Sequence, residues 1–113
     1  MAVIVTGEVE LPSSAEAFSG ASLFVSLESV GLMDMPAQVI VETVQRRIDA
    51  DDAPFSFSLD GDIGDSSGPF NVRAHISMDG SGDVRKGDYL TKRNYTVLKE
   101  NNPDYVIVKV EKV

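Results

Sequence analysis

The dominant pattern along this chain is a period of two. Val3, Val5, Val9 and Leu11 share one face of the opening segment while Thr6, Glu8 and Glu10 share the other. Successive side chains of a strand point to opposite faces, so this alternation predicts a half-buried strand. Gly7 interrupts the apolar side and predicts either a bulge or the close approach of another backbone. Pro12, which has no ladder donor, ends the run.

The same pattern returns repeatedly. Leu23, Val25 and Leu27 point inward with Ser26 and Glu28 outward, and Gly31 to Pro36 reads as a soft loop containing methionines. Residues 38–48 carry Val39, Ile40, Val41 and Val44 without clean alternation, so a strand is expected but its register stays open. Phe55, Phe57 and Leu59 alternate with Ser56 and Ser58. Phe70, Val72, Ala74, Ile76 and Met78 alternate with Asn71, Arg73, His75, Ser77 and Asp79. After the turn at Asp79 to Gly82 comes a more polar segment, and the apolar pattern resumes at Tyr95, Val97 and Leu98. The chain ends on Val106, Val108 and Val110, with Lys109 among the residues opposite them, as suits a sheet edge. Between the first two strands, Ser13 and Glu16 have the spacing of a capping box that would start one helical turn, and a short turn or plain loop over residues 13–20 fits equally well.

Short strands at spacings of roughly ten to fifteen residues, with no long helical period, predict an all-β domain. The expected form is an antiparallel β-sandwich of about seven or eight short strands. At 113 residues the chain has room for one core, so residues 1–113 are expected to form a single sandwich domain. The hydrophobic fraction of 42% and charged fraction of 25% argue against a disordered, collagen-like or membrane class.

The order of these segments resembles the YbaY-like family, which is grouped with the YscW-type pilot lipoproteins of type III secretion. The matching pieces are VTGEVELP at 5–12, SLFVSLESV at 22–30, PAQVIVET at 36–43, PFSFSL at 54–59, FNVRAHISMDG at 70–80 and NYTVL at 94–98. The resemblance implies a small β-sandwich of the bacterial cell envelope, often attached through a lipidated N-terminal Cys, and for the pilot proteins a role in assembling a secretin ring. This chain departs from that pattern in having no Cys. Residues 13–20 look longer than the family's turn, and residues 99–113 extend past its usual last strand. The resemblance supplies no catalytic residue.

Charge and composition narrow the function classes further. The net charge is −8, and the ten Lys and Arg form no run able to track a phosphate backbone, which argues against nucleic-acid binding. No stretch approaches the roughly 18 consecutive apolar residues of a spanning helix. Residues 1–5 lack the basic start and long apolar middle of a signal peptide. The expectation from these features is a chain without membrane insertion that is soluble where it is made, or an envelope protein if the family resemblance holds and a leader has been removed. The absence of Cys removes disulfides, thiolate metal sites and Cys nucleophiles.

Candidate chemistry is sparse. His75 is the sole histidine, and strand alternation places it outward beside Arg73 and Ser77 as a surface residue. No nucleophile-elbow motif accompanies the serines. Asp60, Asp62 and Asp65 in DGDIGDSSG offer oxygen ligands of the kind calcium accepts. Gly64 and Asp65 invert the pattern that an EF-hand loop requires, however, and Asn71 stands where its glutamate would fall, so a solvated turn is the better reading. Leu32, Met33 and Met35 form an apolar stretch that either covers the core or offers an adaptable contact surface. No cofactor and no catalytic residue are expected. The leading expectation is a non-catalytic interaction domain that binds a protein segment at a sheet edge or over Leu32, Met33 and Met35. The alternative is a sandwich module for a small ligand or carbohydrate, calcium-dependent through Asp60, Asp62 and Asp65. An exposed aromatic platform would favour the alternative, and the absence of Trp argues for the first.

Overall fold

A computed structural model of the chain describes residues 2–29, 38–61, 70–92, 95–97 and 104–113. The alternating segments become strands packed as two sheets. One sheet has three strands in the order β4-β1-β8, formed by β1 (Ala2–Glu10), β4 (Phe55–Gly61) and β8 (Asp104–Lys109). The other runs β3-β2-β5-β6-β9, formed by β2 (Ala21–Ser29), β3 (Gln38–Ile48), β5 (Phe70–Ser77), β6 (Tyr89–Leu90) and β9 (Glu111–Lys112). A further short strand, β7 (Thr96–Val97), also pairs with β5. The described residues therefore hold nine strands, more than the seven or eight expected, because the short pairings at β6, β7 and β9 leave no two-residue period long enough to read.

The core lies between the sheets and is built from the inward positions that alternation predicts. Val5 and Val9 of β1, Leu23, Val25 and Leu27 of β2, Phe55, Phe57 and Leu59 of β4, and Val72, Ala74 and Ile76 of β5 are all buried. Fully burying a side chain of this size contributes about 1.5–3 kcal/mol, so this shared interior is the main source of stability.

Two expectations are corrected. The sandwich is not wholly antiparallel: β1 and β8 pair in parallel, from Val5 opposite Asp104 to Glu10 opposite Lys109. Alternation has the same period in both pairings, so strand direction leaves no trace in it. Of the alternatives for residues 13–20 the short turn and loop hold: the Ala15 amide donates to the Pro12 carbonyl at 3.0 Å and the rest is loop. The short helical turn falls instead at Ala50–Asp52, where the Asp49 amide donates to the Asp52 carboxylate at 3.2 Å. Finally, the closing segment divides between the sheets. β8 lies at the edge of the first sheet and β9 at the edge of the second, and the buried Val110 between them donates its amide to the Glu10 carbonyl at 3.2 Å.

Gly7 is a point of close approach. A Cβ there would overlap the Val106 carbonyl oxygen of β8 and stand 2.9 Å from the Phe57 ring. The bulge lies elsewhere in β1, where the register with β4 shifts between Val3 and Val5. The open question of β3 is settled by two further shifts. Its pairing with β2 is regular from Val41 opposite Leu27 to Arg46 opposite Ser22, and it slips at both ends of that stretch. Val39 and Val44 consequently face outward, which is why residues 38–48 show no clean period.

Candidate functional site

The outer face of the larger sheet carries the candidate site. Cross-strand partners share a face, so the register sets rows across it. Val44, Phe24, His75 and Leu90 form one row, and Glu42, Ser26 and Arg73 form the next. A groove of about 210 Å³ runs over these rows, lined by Phe24, Val39, Glu42, Arg73, His75 and Val84 among others. Val39 and Val84 are about half exposed, at 52% and 45%. The Phe24 ring stacks on His75 with centroids 6.0 Å apart, and Gly82 sits over the same ring.

One wall of the groove is the loop between β5 and β6, and polar contacts fix its shape. The Asp88 carboxylate is its hub: it accepts from the Met78 amide at 2.9 Å and the Arg85 amide at 2.9 Å, and pairs with His75 Nε2 at 2.9 Å. Asp88 is almost wholly buried. Burial alone would raise its carboxyl, but the Met78 amide, the His75 ring and the Arg85 amide outweigh that and hold it below the usual carboxylate range. Asp79 organises the outer turn, accepting from Ser81 Oγ at 2.7 Å, the Ser81 amide at 2.9 Å and Ser77 Oγ at 3.0 Å. Chiefly through the Ser81 hydroxyl, and with the Arg85 guanidinium 2.8 Å away, its carboxyl is lowered to about 2. Gly80 and Gly82 supply the positive φ values, 75° and 86°, that this turn requires. The chain end closes behind the loop, with the Val113 amide donating to the Asp88 carbonyl at 2.8 Å.

His75 is a correction. Alternation places it on the outer face, where it lies, but not at the surface, because the loop carrying Asp88 folds over it and leaves it buried at 6% exposure. A hydrogen bond to a buried carboxylate makes it part of the groove's foundation. Asp88 went unnoticed in the sequence because the segment around it is polar and has no period. Phe24 and Val84 did leave signals. Phe24 is a large apolar residue on the polar side of an otherwise alternating strand, and Val84 is an isolated apolar residue among Gly, Ser and charged neighbours.

The other candidates fare differently. Leu32, Met33, Met35, Asp62 and Asp65 lie outside the described residues. Asp60 is exposed near the end of β4 and accepts from Ser58 Oγ at 3.0 Å. Among the described residues no group of three or more His, Cys, Asp or Glu is placed to hold a metal ion, and no helix is long and apolar enough to cross a membrane. A second cleft of about 310 Å³ lies beside the end of β1, lined by Leu11, Tyr95 and Lys109 among others. There the Tyr95 hydroxyl accepts from the Lys109 amide at 3.0 Å and donates to the Lys109 carbonyl at 3.2 Å, which ties residue 95 to β8.

Fold and groove together define a small β-sandwich that offers a partly apolar, charge-flanked surface. The profile of the YscW family, described as type III secretion system lipoprotein chaperones, matches residues 1–110, and the chain belongs to that family. Membership carries a protein-binding role in secretion assembly in general terms, and the family is one of chaperones, a non-enzymatic kind. Among solved structures the chain is similar to an alternative pilotin from the type II secretion system of Vibrio cholerae. That match has a TM-score of 0.72 at 24% identity and covers 96% of this chain and 95% of the other, a likeness of fold. No curated protein matches the chain.

Proposed function

We propose that this chain is a pilot-type chaperone of the cell envelope that captures a segment of a secretin subunit and accompanies it to assembly. The observation that supports this reading is the family match over residues 1–110. The groove over Phe24, Val39 and Val84 is the contact surface in this reading, because exposed apolar side chains flanked by charge suit a peptide segment better than a small metabolite. Leu32, Met33 and Met35 are proposed as further contacts for the same segment, on their adaptable apolar side chains alone. The carbohydrate reading asks for a flat open ring. Phe24, the aromatic in the groove, has His75 stacked against it and Gly82 above it.

Titrating the protein into labelled peptides that tile the whole sequence of the secretin from the same genome tests this. Saturable binding to one peptide is expected, with affinity falling at least about tenfold in Phe24→Ala combined with Val84→Asp. Absence of binding to every peptide, with circular dichroism showing a folded β protein, overturns the reading.

A further inference from the structure

We infer that the outer edge of β3 is a self-association site, pairing antiparallel with β3 of a second copy about a two-fold axis at Val44. β3 ends its sheet, and among the described residues no strand pairs with its outer edge. The stretch from Val41 to Arg46 is the regular part of that edge, bounded by a register shift on each side, with Arg47 at a φ of 60° ending it. A regular strand edge presents unpaired amides and carbonyls and is a template for another strand.

The side chains of this stretch identify the occupant. Glu42, Val44 and Arg46 share the outer face of β3, opposite Ser26, Phe24 and Ser22, and all three are exposed. Among the described residues neither Glu42 nor Arg46 has an ion-pair partner, and the two stand symmetrically on either side of Val44. An antiparallel partner centred on Val44 would place Glu42 opposite the second copy's Arg46, Arg46 opposite its Glu42, and Val44 opposite Val44. The segment is thus its own complement, which a two-fold contact requires, since each copy must offer the patch that the other needs. Opposite charges directly across a strand pair are favourable and like charges unfavourable, so this register is preferred over one with the axis at Glu42 or Arg46, which would set two like charges opposite each other. β4 meets β3 through Gln45, whose amide donates to the Ser56 carbonyl at 2.7 Å. Gln45 shares the core-side face with Leu23, so this contact lies away from the face carrying Glu42, Val44 and Arg46. Pairing would join two of the larger sheets into one and bring the two grooves alongside the axis, because Val39 and Glu42 of β3 border each groove.

The contact is short, so the association is weak and depends on concentration. Sedimentation velocity over a wide concentration range, with circular dichroism as a check of folding, reads it directly. The wild type is expected to pass from monomer to dimer, and less so at high salt, since exposed charges are screened. Glu42→Arg and Arg46→Glu should each weaken the dimer at least about tenfold, because each sets like charges opposite one another. The double variant Glu42→Arg with Arg46→Glu restores the complement with its signs exchanged and should dimerise as the wild type does. An equimolar mixture of the two single variants should form a heterodimer. A wild type that stays monomeric throughout, single variants that associate unchanged, or a double variant that fails to recover while remaining folded would each overturn the inference.

Discussion

The three-stranded sheet and the loop from Asp79 to Asp88 are held by opposite means. In the sheet, β1 and β4 meet along Val5, Val9, Phe55, Phe57 and Leu59, all buried, and Gly7 lets the β8 backbone come close. Apolar burial of this kind is non-directional and insensitive to pH. In the loop, the fixing contacts are hydrogen bonds to two carboxylates, Asp79 and Asp88, with the loop laid over His75 and Phe24. These contacts are directional and change with protonation. The stable scaffold and the adjustable wall of the groove therefore rest on different forces, and each can be removed separately.

The largest effect is expected in the scaffold. Phe57→Ala should destabilise by about 3–5 kcal/mol in chemical denaturation, since the ring is buried and its loss leaves a cavity between the sheets. Gly7→Val should also be severe, about 3 kcal/mol or more, because the new side chain has no room beside the Val106 carbonyl. A scaffold that tolerates both changes would remove the contrast with the loop.

The same division governs what the sequence makes readable. Phe55 to Leu59 and Phe70 to Ile76 alternate because each strand has one face on the core, so hydropathy records their phase directly. β3 resisted that reading because a register slip at Ile40 places Val39 and Val44, an odd number of positions apart, on the same solvent side, and a second slip lies at Arg47 before the buried Ile48. The parallel pairing of β1 with β8 was hidden because direction does not alter alternation. Asp88 was hidden for a different reason: its role is created by hydrogen bonds to an amide ten residues before it and to a ring on another strand, and no local period encodes such contacts. His75 shows both effects at once, for its outward phase was readable and its burial under the loop was not. The groove's apolar lining, Phe24 and Val84, stood in the sequence as exceptions to the pattern rather than as part of it.

The loop gives the next effects in size. Asp88→Ala should cost about 2–4 kcal/mol, because it leaves the Met78 and Arg85 amides and the buried His75 ring without their acceptor. His75→Ala should cost about 1–2 kcal/mol, more than the few tenths that an exposed histidine would. The two residues share one contact, so the double variant should lose less than the sum of the single losses, and strict additivity would show that the pair is not coupled. Peptide binding, if the groove is the site, should weaken in both variants while β1 and β4 keep their amide protection from hydrogen exchange.

The smallest expected effect is the response of the loop to acid, and its sign follows from the carboxylates. Asp79 has its carboxyl lowered from 3.8 to about 2 by the Ser81 hydroxyl and amide, with Ser77 and Arg85 adding to them. Asp88 is lowered as well. A carboxyl whose folded value lies below its unfolded one binds fewer protons in the native state. Its contribution is therefore fully present above the unfolded value and is lost as pH falls through the folded one. For Asp79 that window runs from about 4 down to about 2. Nuclear magnetic resonance of the backbone amides between pH 6 and pH 2 should show Ser81 holding its shift well below the ordinary carboxylate range, then moving with Met78 and Arg85 as the loop loosens. The amides of β1 and β4 should stay in place over the same interval. Asp79→Asn should abolish the Ser81 transition and leave that of Met78, which reports on Asp88. Movement of the β1 and β4 amides together with Ser81 would mean that loop and scaffold unfold as one unit, and that the wall of the groove is not separately adjustable.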